Sequence, residues 1–250
     1  MSYTLEICSN SAQSALSAQI AGAKRVELCD NLWESGTTPS FGTIKKAREL
    51  LTIDLFVLIR PRGGDFVYSD LEFEIMKEDI VECKKRGVNG IVSGVLNADS
   101  TIDIKRTKEL IELSNPLPFT FHRAFDVTPN LNESLKQLIT LKVDRVLTSG
   151  GKNNATAATD VIKTLNIIAK NTIKVLPGGG INESNISSLF STGSTEFHLT
   201  GHERFHSPSP KAALKLNGIE SIPENDYFQS SVPKIMRVLT VLDEHFEKTV

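Results

Sequence analysis

The chain has 250 residues, of which 40% are hydrophobic and 23% are charged. This composition excludes disorder for the bulk of the chain, because it supplies enough apolar side chains for a core. The 28 Lys and Arg against 30 Asp and Glu give a net charge of -2, which disfavours general nucleic-acid binding. Without a run of about 18 apolar residues or signal-peptide features at the start, we expect a cytoplasmic protein with neither nucleic-acid nor membrane partners.

Short apolar, β-branched runs alternate with amphipathic stretches along the chain. They predict eight strands, at Thr4–Cys8, Arg25–Cys29, Leu55–Arg60, Gly90–Gly94, Phe119–Arg123, Arg145–Thr148, Lys174–Pro177 and Glu196–Leu199. Helical spacing predicts helices within 74–86, 155–170 and 232–246, and capping residues mark helix starts at Asn10-Ser11, Asp70 and Asn182. Eight strands, each followed by a helix, favour an α/β fold of the (β/α)8 TIM barrel type over an open doubly wound sheet of six or seven strands.

The composition gives no linker that divides the chain, so we expect one barrel domain over residues 1–250. In its last part, 201–250, the proline-containing stretch 201–231 predicts an irregular loop. An extra C-terminal helix with one apolar face follows that loop and is expected to cap the barrel exterior.

Alternation along each strand predicts which side chains face the barrel axis. When the aliphatic residues face the surrounding helices, the inward residues are Glu6, Cys8, Glu27, Cys29, Arg60, His122, Glu196 and His198. Buried charges must pair, become hydrated or change their pKa. For Glu6 and Glu27, an internal ion network is the alternative to a catalytic role. Arg60, His122 and His198 lie nearer the carboxyl ends of strands, where this fold places active sites.

The segments that follow the strands contain residue types that bind anions and move protons. Arg60-Pro61-Arg62-Gly63-Gly64-Asp65 suits an anion clamp with an orienting acid, or a tight charged turn. His122-Arg123-Ala124-Phe125-Asp126 offers a general base with an orienting carboxylate, or a core histidine with a turn acid. Thr148-Ser149-Gly150-Gly151 and Gly178-Gly179-Gly180 let backbone approach a phosphate, or simply form turns.

These motifs lead to two sets of predicted site residues. The predicted catalytic residues are His122, Asp126, Glu27 and Glu6. The predicted substrate or anion site contains Arg60, Arg62, Asp65, Arg123, Ser149, Gly178, Gly179, Gly180 and His198.

The sequence has three cysteines, too few for a disulfide scaffold, and cytosolic thiols usually stay reduced. Cys8 and Cys29 close the first and second strands at matching positions. Because neighbouring strands are about 4.8 Å apart, the two thiols either meet at one ligand or pack as buried small residues. As ligands, soft thiolates favour Cu(I) or Zn. Cys83 lies on a predicted helix, where we expect it to be a packing residue.

Several segments closely resemble the CutC copper homeostasis family. They are Leu5-Glu6-Ile7-Cys8, Arg25-Val26-Glu27-Leu28-Cys29-Asp30, Thr38-Pro39-Ser40, Ile59-Arg60-Pro61-Arg62-Gly63-Gly64-Asp65-Phe66, Thr120-Phe121-His122-Arg123-Ala124-Phe125-Asp126 and Val146-Leu147-Thr148-Ser149-Gly150. The resemblance implies a (β/α)8 barrel, a cytosolic location, a homodimer or larger homo-oligomer, and a role in copper tolerance with Cu(I) bound by Cys8 and Cys29. Ser35 and Ser100 depart from it, since each stands where the family usually has glycine.

Two functions stay open at this point. One is a copper homeostasis protein whose partner is Cu(I), held by Cys8 and Cys29 and assisted by His198. The other is a TIM-barrel enzyme of the lyase, isomerase or hydrolase type that acts on a small anionic or phosphorylated metabolite. A scaffold protein without a pocket conflicts with the many ionisable side chains predicted to point inward.

Overall fold

A computed structural model describes residues 2–208 and 224–247 of the chain. One sheet contains β1 (Thr4–Ser9), β2 (Arg25–Leu28), β3 (Asp54–Leu58), β4 (Gly90–Ser93), β5 (Phe119–Phe121), β6 (Arg145–Thr148), β7 (Lys174–Pro177) and β8 (Glu196–Leu199). The strands are parallel and ordered β7-β6-β5-β4-β3-β2-β1-β8. A parallel bridge between Gly178 and His198 joins the two edges. The predicted (β/α)8 barrel is therefore confirmed, and each strand begins within one residue of its predicted start.

The helices of the described residues surround the strands. They are α1 (Ala12–Ala21), α2 (Phe41–Leu50), α3 (Asp70–Lys85), α4 (Ile104–Ser114), α5 (Leu131–Thr140), α6 (Thr159–Ala169) and α7 (Val232–Glu247). Ser11 caps α1 as predicted, since its hydroxyl accepts from the Ser14 amide. Near Asp70 the capping residue is Ser69, which forms a reciprocal capping box with Glu72. None of these helices is long and apolar enough to span a bilayer.

The predicted α-helix after β7 does not form. Ile186–Thr192 is a 3-10 helix, and the Asn182 side chain accepts from the Ser184 amide in a local turn. Hydroxyls in this stretch donate to carbonyls three residues back, for example Thr192 Oγ1 to Leu189 O at 2.6 Å. Such side-chain bonds compete with the α-helical pattern.

The predicted irregular loop is wrong for two stretches of 201–231. They form β9 (His202–His206) and β10 (Asp226–Ser230), which pair antiparallel; residues 209–223 lie outside the described residues. The hairpin is tied to α1, because the Ser230 amide donates to Ser14 Oγ at 3.1 Å. The predicted C-terminal helix is present as α7, which packs against α1.

Two apolar clusters lie on opposite sides of the barrel wall. Between strands and helices, the larger cluster includes the outward residues Val26, Leu28, Val57, Ile59, Phe119 and Phe121, as strand alternation predicts. Inside the barrel, a smaller cluster contains Cys8, Cys29, Phe56, Leu58 and Val92. The interior is thus apolar beside β3 and β4, while ionisable side chains concentrate on β8, β1 and β2.

Candidate functional site

An ion network fills the interior at the start of the strands. The register places Glu6 opposite Arg25 on β2 and opposite His198 on β8. Arg25 donates through Nε to Glu6 Oε2 and through a terminal nitrogen to Glu196 Oε2, both at 2.5 Å. Arg145 Nε donates to the same Glu196 oxygen at 3.0 Å. Glu6 therefore belongs to the internal ion network that was the alternative to its predicted catalytic role.

Sequence reasoning missed Arg25 and Arg145. Both guanidinium groups lie over the ring of Phe56, at 5.1 and 5.0 Å from its centroid, a cation–π arrangement. Strand alternation could have identified both residues, because residues two apart on a strand face the same side. Arg25 lies two residues before the inward-facing Glu27 on β2, and Arg145 lies two residues before Leu147 on β6.

His198 lies between two carboxylates. Its Nδ1 is 2.7 Å from Glu6 Oε1, and its Nε2 is 3.5 Å from Glu27 Oε2. Burial opposes ionisation of Glu6, yet Arg25 and His198 hold its pKa at about 2. Burial also opposes a charge on His198, but Glu27 and Glu6 raise its pKa well above the usual value. Both ring nitrogens of a cationic His198 are therefore engaged by carboxylates.

The two predicted metal ligands come together beside this histidine. Cys8 Sγ lies 3.6 Å from Cys29 Sγ, and both residues are buried. The bond to Cys29, together with burial, raises the pKa of the Cys8 thiol. Among the described residues, the ligand atoms of Cys8, Glu27 and His198 form a group within 4.8 Å of one another that could hold a metal ion. Cys83 instead lies in the outer apolar cluster.

A cavity of about 430 Å³ opens at the carboxyl ends of the strands, where this fold places active sites. Most of the predicted site residues lie along its wall. They are Cys8, Glu27, Arg60, His122, Arg123, Asp126, Gly179, Gly180 and His198. The other predicted residues lie outside the lining, namely Glu6, Cys29, Arg62, Asp65, Ser149 and Gly178.

Both terminal nitrogens of Arg60 donate hydrogen bonds to backbone carbonyls of the protein. One terminal nitrogen donates to the carbonyls of Glu34 at 2.5 Å and Gly36 at 2.7 Å. The other terminal nitrogen donates to the carbonyl of Gly64 at 2.8 Å. These bonds join the segments after β2 and β3, so Arg60 mainly positions the walls of the cavity.

Arg62 and Asp65 interact with each other away from the cavity. Their ion pair measures 3.1 Å, and Arg62 also pairs with Glu72 at 2.6 Å. Because Glu72 caps α3, Arg62 connects the loop after β3 to that helix. Arg62 therefore pairs outside the cavity lining and is not positioned to clamp an anion together with Arg60.

The predicted pairing of His122 with Asp126 is also wrong. A 3-10 turn over Arg123–Val127 directs the Asp126 carboxylate toward the segment after β6. There it accepts from the Ser149 amide at 2.9 Å and from the Gly151 amide at 3.1 Å. It also accepts from Arg123 Nε at 2.8 Å. Asp126 therefore organises two loops and does not orient the histidine.

His122 is a neutral hydrogen-bond donor. Its Nδ1 accepts from the Ala124 amide at 3.2 Å, which places the proton on Nε2. Burial and the nearby Arg60 charge lower the pKa of His122 to about 3. The imidazole is thus uncharged near neutral pH, and its Nε2 has no hydrogen-bond partner among the described residues.

The glycines after β7 have different roles. The Gly178 amide donates to the Thr148 carbonyl at 2.9 Å, and Gly178 takes part in closing the barrel. Gly179 and Gly180 adopt φ values of +107° and +69°, which favour glycine. A Cβ atom on Gly180 would lie 1.5 Å from Asn154 Oδ1. The last two glycines therefore keep this wall of the cavity thin.

Comparisons with known proteins agree with this architecture. The family model described as "CutC family" matches residues 3–203. The chain is 46% identical over 199 residues to the copper homeostasis protein cutC homolog of Mus musculus, covering 79% of this chain and 73% of that protein. A CutC family protein of Bacteroides fragilis is 41% identical over 96% of each chain.

A solved structure is similar as well. It is that of CutC from Streptococcus agalactiae, with a TM-score of 0.76 and 37% sequence identity. The alignment covers 79% of this chain and 98% of that one. On these matches, the chain belongs to the CutC family.

Proposed function

We propose that this chain is a copper homeostasis protein that binds Cu(I) between Cys8 and Cys29. The observation that carries the proposal is the 3.6 Å approach of the two buried thiols. Thiolates are soft ligands and select soft ions such as Cu(I). The name of the mouse relative supports the same role, at 46% identity.

The surroundings of the thiols favour Cu(I) over Zn(II). Zn(II) takes four ligands in most protein sites. Glu6 and Glu27 engage the two nitrogens of His198, so the two thiols are the soft ligands that remain outside this ion pair. Cu(I) accepts a set of two sulfur ligands, and its binding displaces the thiol protons. Because Cys8 lines the cavity, the ion has a route to the site from the barrel mouth.

A competition titration tests this proposal. The protein is titrated anaerobically with Cu(I) against a coloured chelator, and with Zn(II) in a parallel series. We expect one tightly bound Cu(I) per chain and at least tenfold weaker binding in Cys8→Ser and in Cys29→Ser. Cys83→Ser is the matched control, because its thiol lies in the outer cluster. Wild-type affinity in the Cys8→Ser/Cys29→Ser double variant contradicts the proposal.

We also propose a cytoplasmic location. Cys8 and Cys29 are free thiols although their sulfur atoms are close. Reducing compartments keep such a pair reduced and available to a metal ion.

A second function, an enzyme acting on a small anionic metabolite, rests on Arg123 in the cavity wall. Arg123 uses Nε for Asp126 and one terminal nitrogen for Ser149 Oγ, at 2.8 and 2.7 Å. Its other terminal nitrogen, Nη1, has no hydrogen-bond partner within the part of the chain that the structure describes, and it lies next to Gly179. A fixed guanidinium with free donors suits an anion.

Thermal unfolding with a panel of anions, including inorganic phosphate, tests the second function. We expect at least one anion to raise the melting temperature of wild type and to lose this effect in Arg123→Gln. Arg237→Gln is the control, because Arg237 pairs with Glu183 outside the cavity. The absence of any anion effect on wild type contradicts an anion site.

A further inference from the structure

The wall of the cavity includes His122, a buried side chain with one unpaired donor nitrogen. His122 Nε2 has no hydrogen-bond partner among residues 2–208 and 224–247, and the residue is 5% exposed. Its Nδ1 is occupied by the Ala124 amide, so the ring cannot turn over without breaking that bond. A buried donor without an acceptor is destabilising, and unpaired groups of this kind concentrate at functional sites.

The surroundings of the ring determine which acceptor suits it. The His122 ring lies against Phe66, with centroids 4.9 Å apart, and Arg60 lies over the same phenylalanine at 5.0 Å. The donor is therefore a neutral N–H in a partly apolar wall. A neutral imidazole in such a setting hydrogen-bonds to a carbonyl oxygen and stabilises negative charge that develops on it.

The next residue supplies a second, charged donor to the same cavity. Arg123 is held by Asp126 and Ser149, and its Nη1 lies next to Gly179, where no side chain intervenes. Arg123 and His122 follow each other at the end of β5, and both line the cavity. A ligand that satisfies both donors carries an anionic group and an uncharged acceptor oxygen.

We propose that the cavity binds a small carbonyl-bearing anion, its carbonyl oxygen accepting from His122 Nε2 and its anionic group paired with Arg123. This inference rests on the anion site of the second proposed function. It adds that a carbonyl group is part of what the site recognises. The anionic group is a carboxylate, as in a 2-oxo acid, or a phosphate, as in a keto phosphate.

Binding of matched probes to the full chain tests this inference. Pyruvate is compared with propionate, and dihydroxyacetone phosphate with glycerol 3-phosphate, so that each pair differs at the carbonyl group. We expect the carbonyl member of at least one pair to bind about tenfold more tightly, the contribution of one hydrogen bond. The pair that shows the preference identifies the anionic group.

Two substitutions of His122 distinguish the roles of its two ring nitrogens. His122→Asn keeps an acceptor for the Ala124 amide and removes the Nε2 donor, so the preference for the carbonyl member is expected to disappear. His122→Gln keeps a donor near the Nε2 position, so the preference is expected to remain. Arg123→Gln is expected to weaken both members of a pair equally.

NMR of the wild-type protein tests the same hydrogen bond without depending on whether a variant folds. In a ¹⁵N spectrum, the Nε2 resonance of His122 is expected to shift on addition of the preferred carbonyl anion and to stay unchanged with its partner probe. Equal binding of both members of each pair overturns the inference and leaves an anion site in place. If no probe binds, and inorganic phosphate does not bind either, the anion site fails and the inference fails with it.

Discussion

Glu6 Oε1 lies 2.7 Å from His198 Nδ1, and this contact joins the internal ion network to the thiol pair. The strand register places the two residues side by side on β1 and β8. Glu6, Glu27 and Glu196 face Arg25, Arg145 and His198, so three carboxylates meet three basic groups. Burying these groups is costly unless each has a partner, and burial raises the pKa of Glu27.

The first prediction concerns the carboxylate at the centre of this network. Glu6→Gln preserves the shape of the side chain and removes its charge, which leaves Arg25 and His198 without their shared partner. We expect the free energy of unfolding to fall by about 3–5 kcal/mol, the usual cost of breaking a buried ion pair. Urea denaturation at neutral pH measures this loss.

The control for Glu6→Gln is Glu49→Gln. Glu49 pairs with Lys46 at 2.7 Å on the surface of α2, and exposed pairs contribute little to stability. We expect its denaturation midpoint to match that of wild type. Equal midpoints for Glu6→Gln and Glu49→Gln would contradict the role of the network.

The second prediction concerns the pH dependence of stability. The pKa of His122 is about 3 in the folded chain and about 6.5 when unfolded. Above pH 6.5, His122 is neutral in both the folded and the unfolded chain, so its titration does not lower the free energy of unfolding. As the pH falls from 6.5 toward 3, only the unfolded state binds the proton, so stability is lost. At pH 5 this loss is about 2 kcal/mol.

Urea denaturation at pH 7.5 and pH 5 checks this dependence in wild type and His122→Asn. All other titrating groups are common to both proteins, so the difference between their pH effects isolates the histidine. Wild type should lose about 2 kcal/mol more than the variant between the two pH values. An equal decrease in the free energy of unfolding in both proteins would contradict this role of His122.

The third prediction concerns the thin wall after β7. Gly180→Ala places a Cβ atom against Asn154 Oδ1 at a residue with φ +69°. Gly87 has φ +71° and nothing within 4 Å of a Cβ position, so Gly87→Ala introduces the backbone strain alone. We expect about 1 kcal/mol of destabilisation for Gly87→Ala, and about 1–3 kcal/mol more for Gly180→Ala because of overlap.

Thermal and urea unfolding of the two glycine variants give the comparison. Because Gly180 lines the cavity, its variant should also respond less to any anion that stabilises wild type. A Gly180→Ala protein as stable as Gly87→Ala would mean that Asn154 moves away without cost.

The strands and the inward direction of their side chains could be predicted because both follow from local pattern. Short apolar runs locate the strands, and the need for an aliphatic face against the helices fixes which residues turn inward. Glu27, His122 and His198 reach the cavity for this reason. The family resemblance added two further positions. At Ser35 and Ser100, where the resemblance predicts glycine, the backbone adopts a left-handed φ of 66° and 64°, which glycine occupies without strain.

Partner choice could not be predicted, because it depends on segments distant in the sequence. Asp126 lies four residues after His122, yet the amides after β6 engage it. Arg60 looks available in the sequence, but carbonyls of two loops accept from both of its terminal nitrogens, which leaves its buried Nε without a partner among the described residues. The hairpin of β9 and β10 has polar strands without an alternating apolar pattern, and its strands are defined by pairing with each other.

X-ray absorption at the copper edge of the Cu(I)-loaded protein tests the central claim most directly, because it identifies the atoms bound to the metal. Two sulfur neighbours are predicted for wild type and for Cys83→Ser, and one fewer for Cys8→Ser and for Cys29→Ser. Copper bound only to nitrogen and oxygen, or an unchanged spectrum in the Cys8→Ser/Cys29→Ser double variant, would contradict the proposed site.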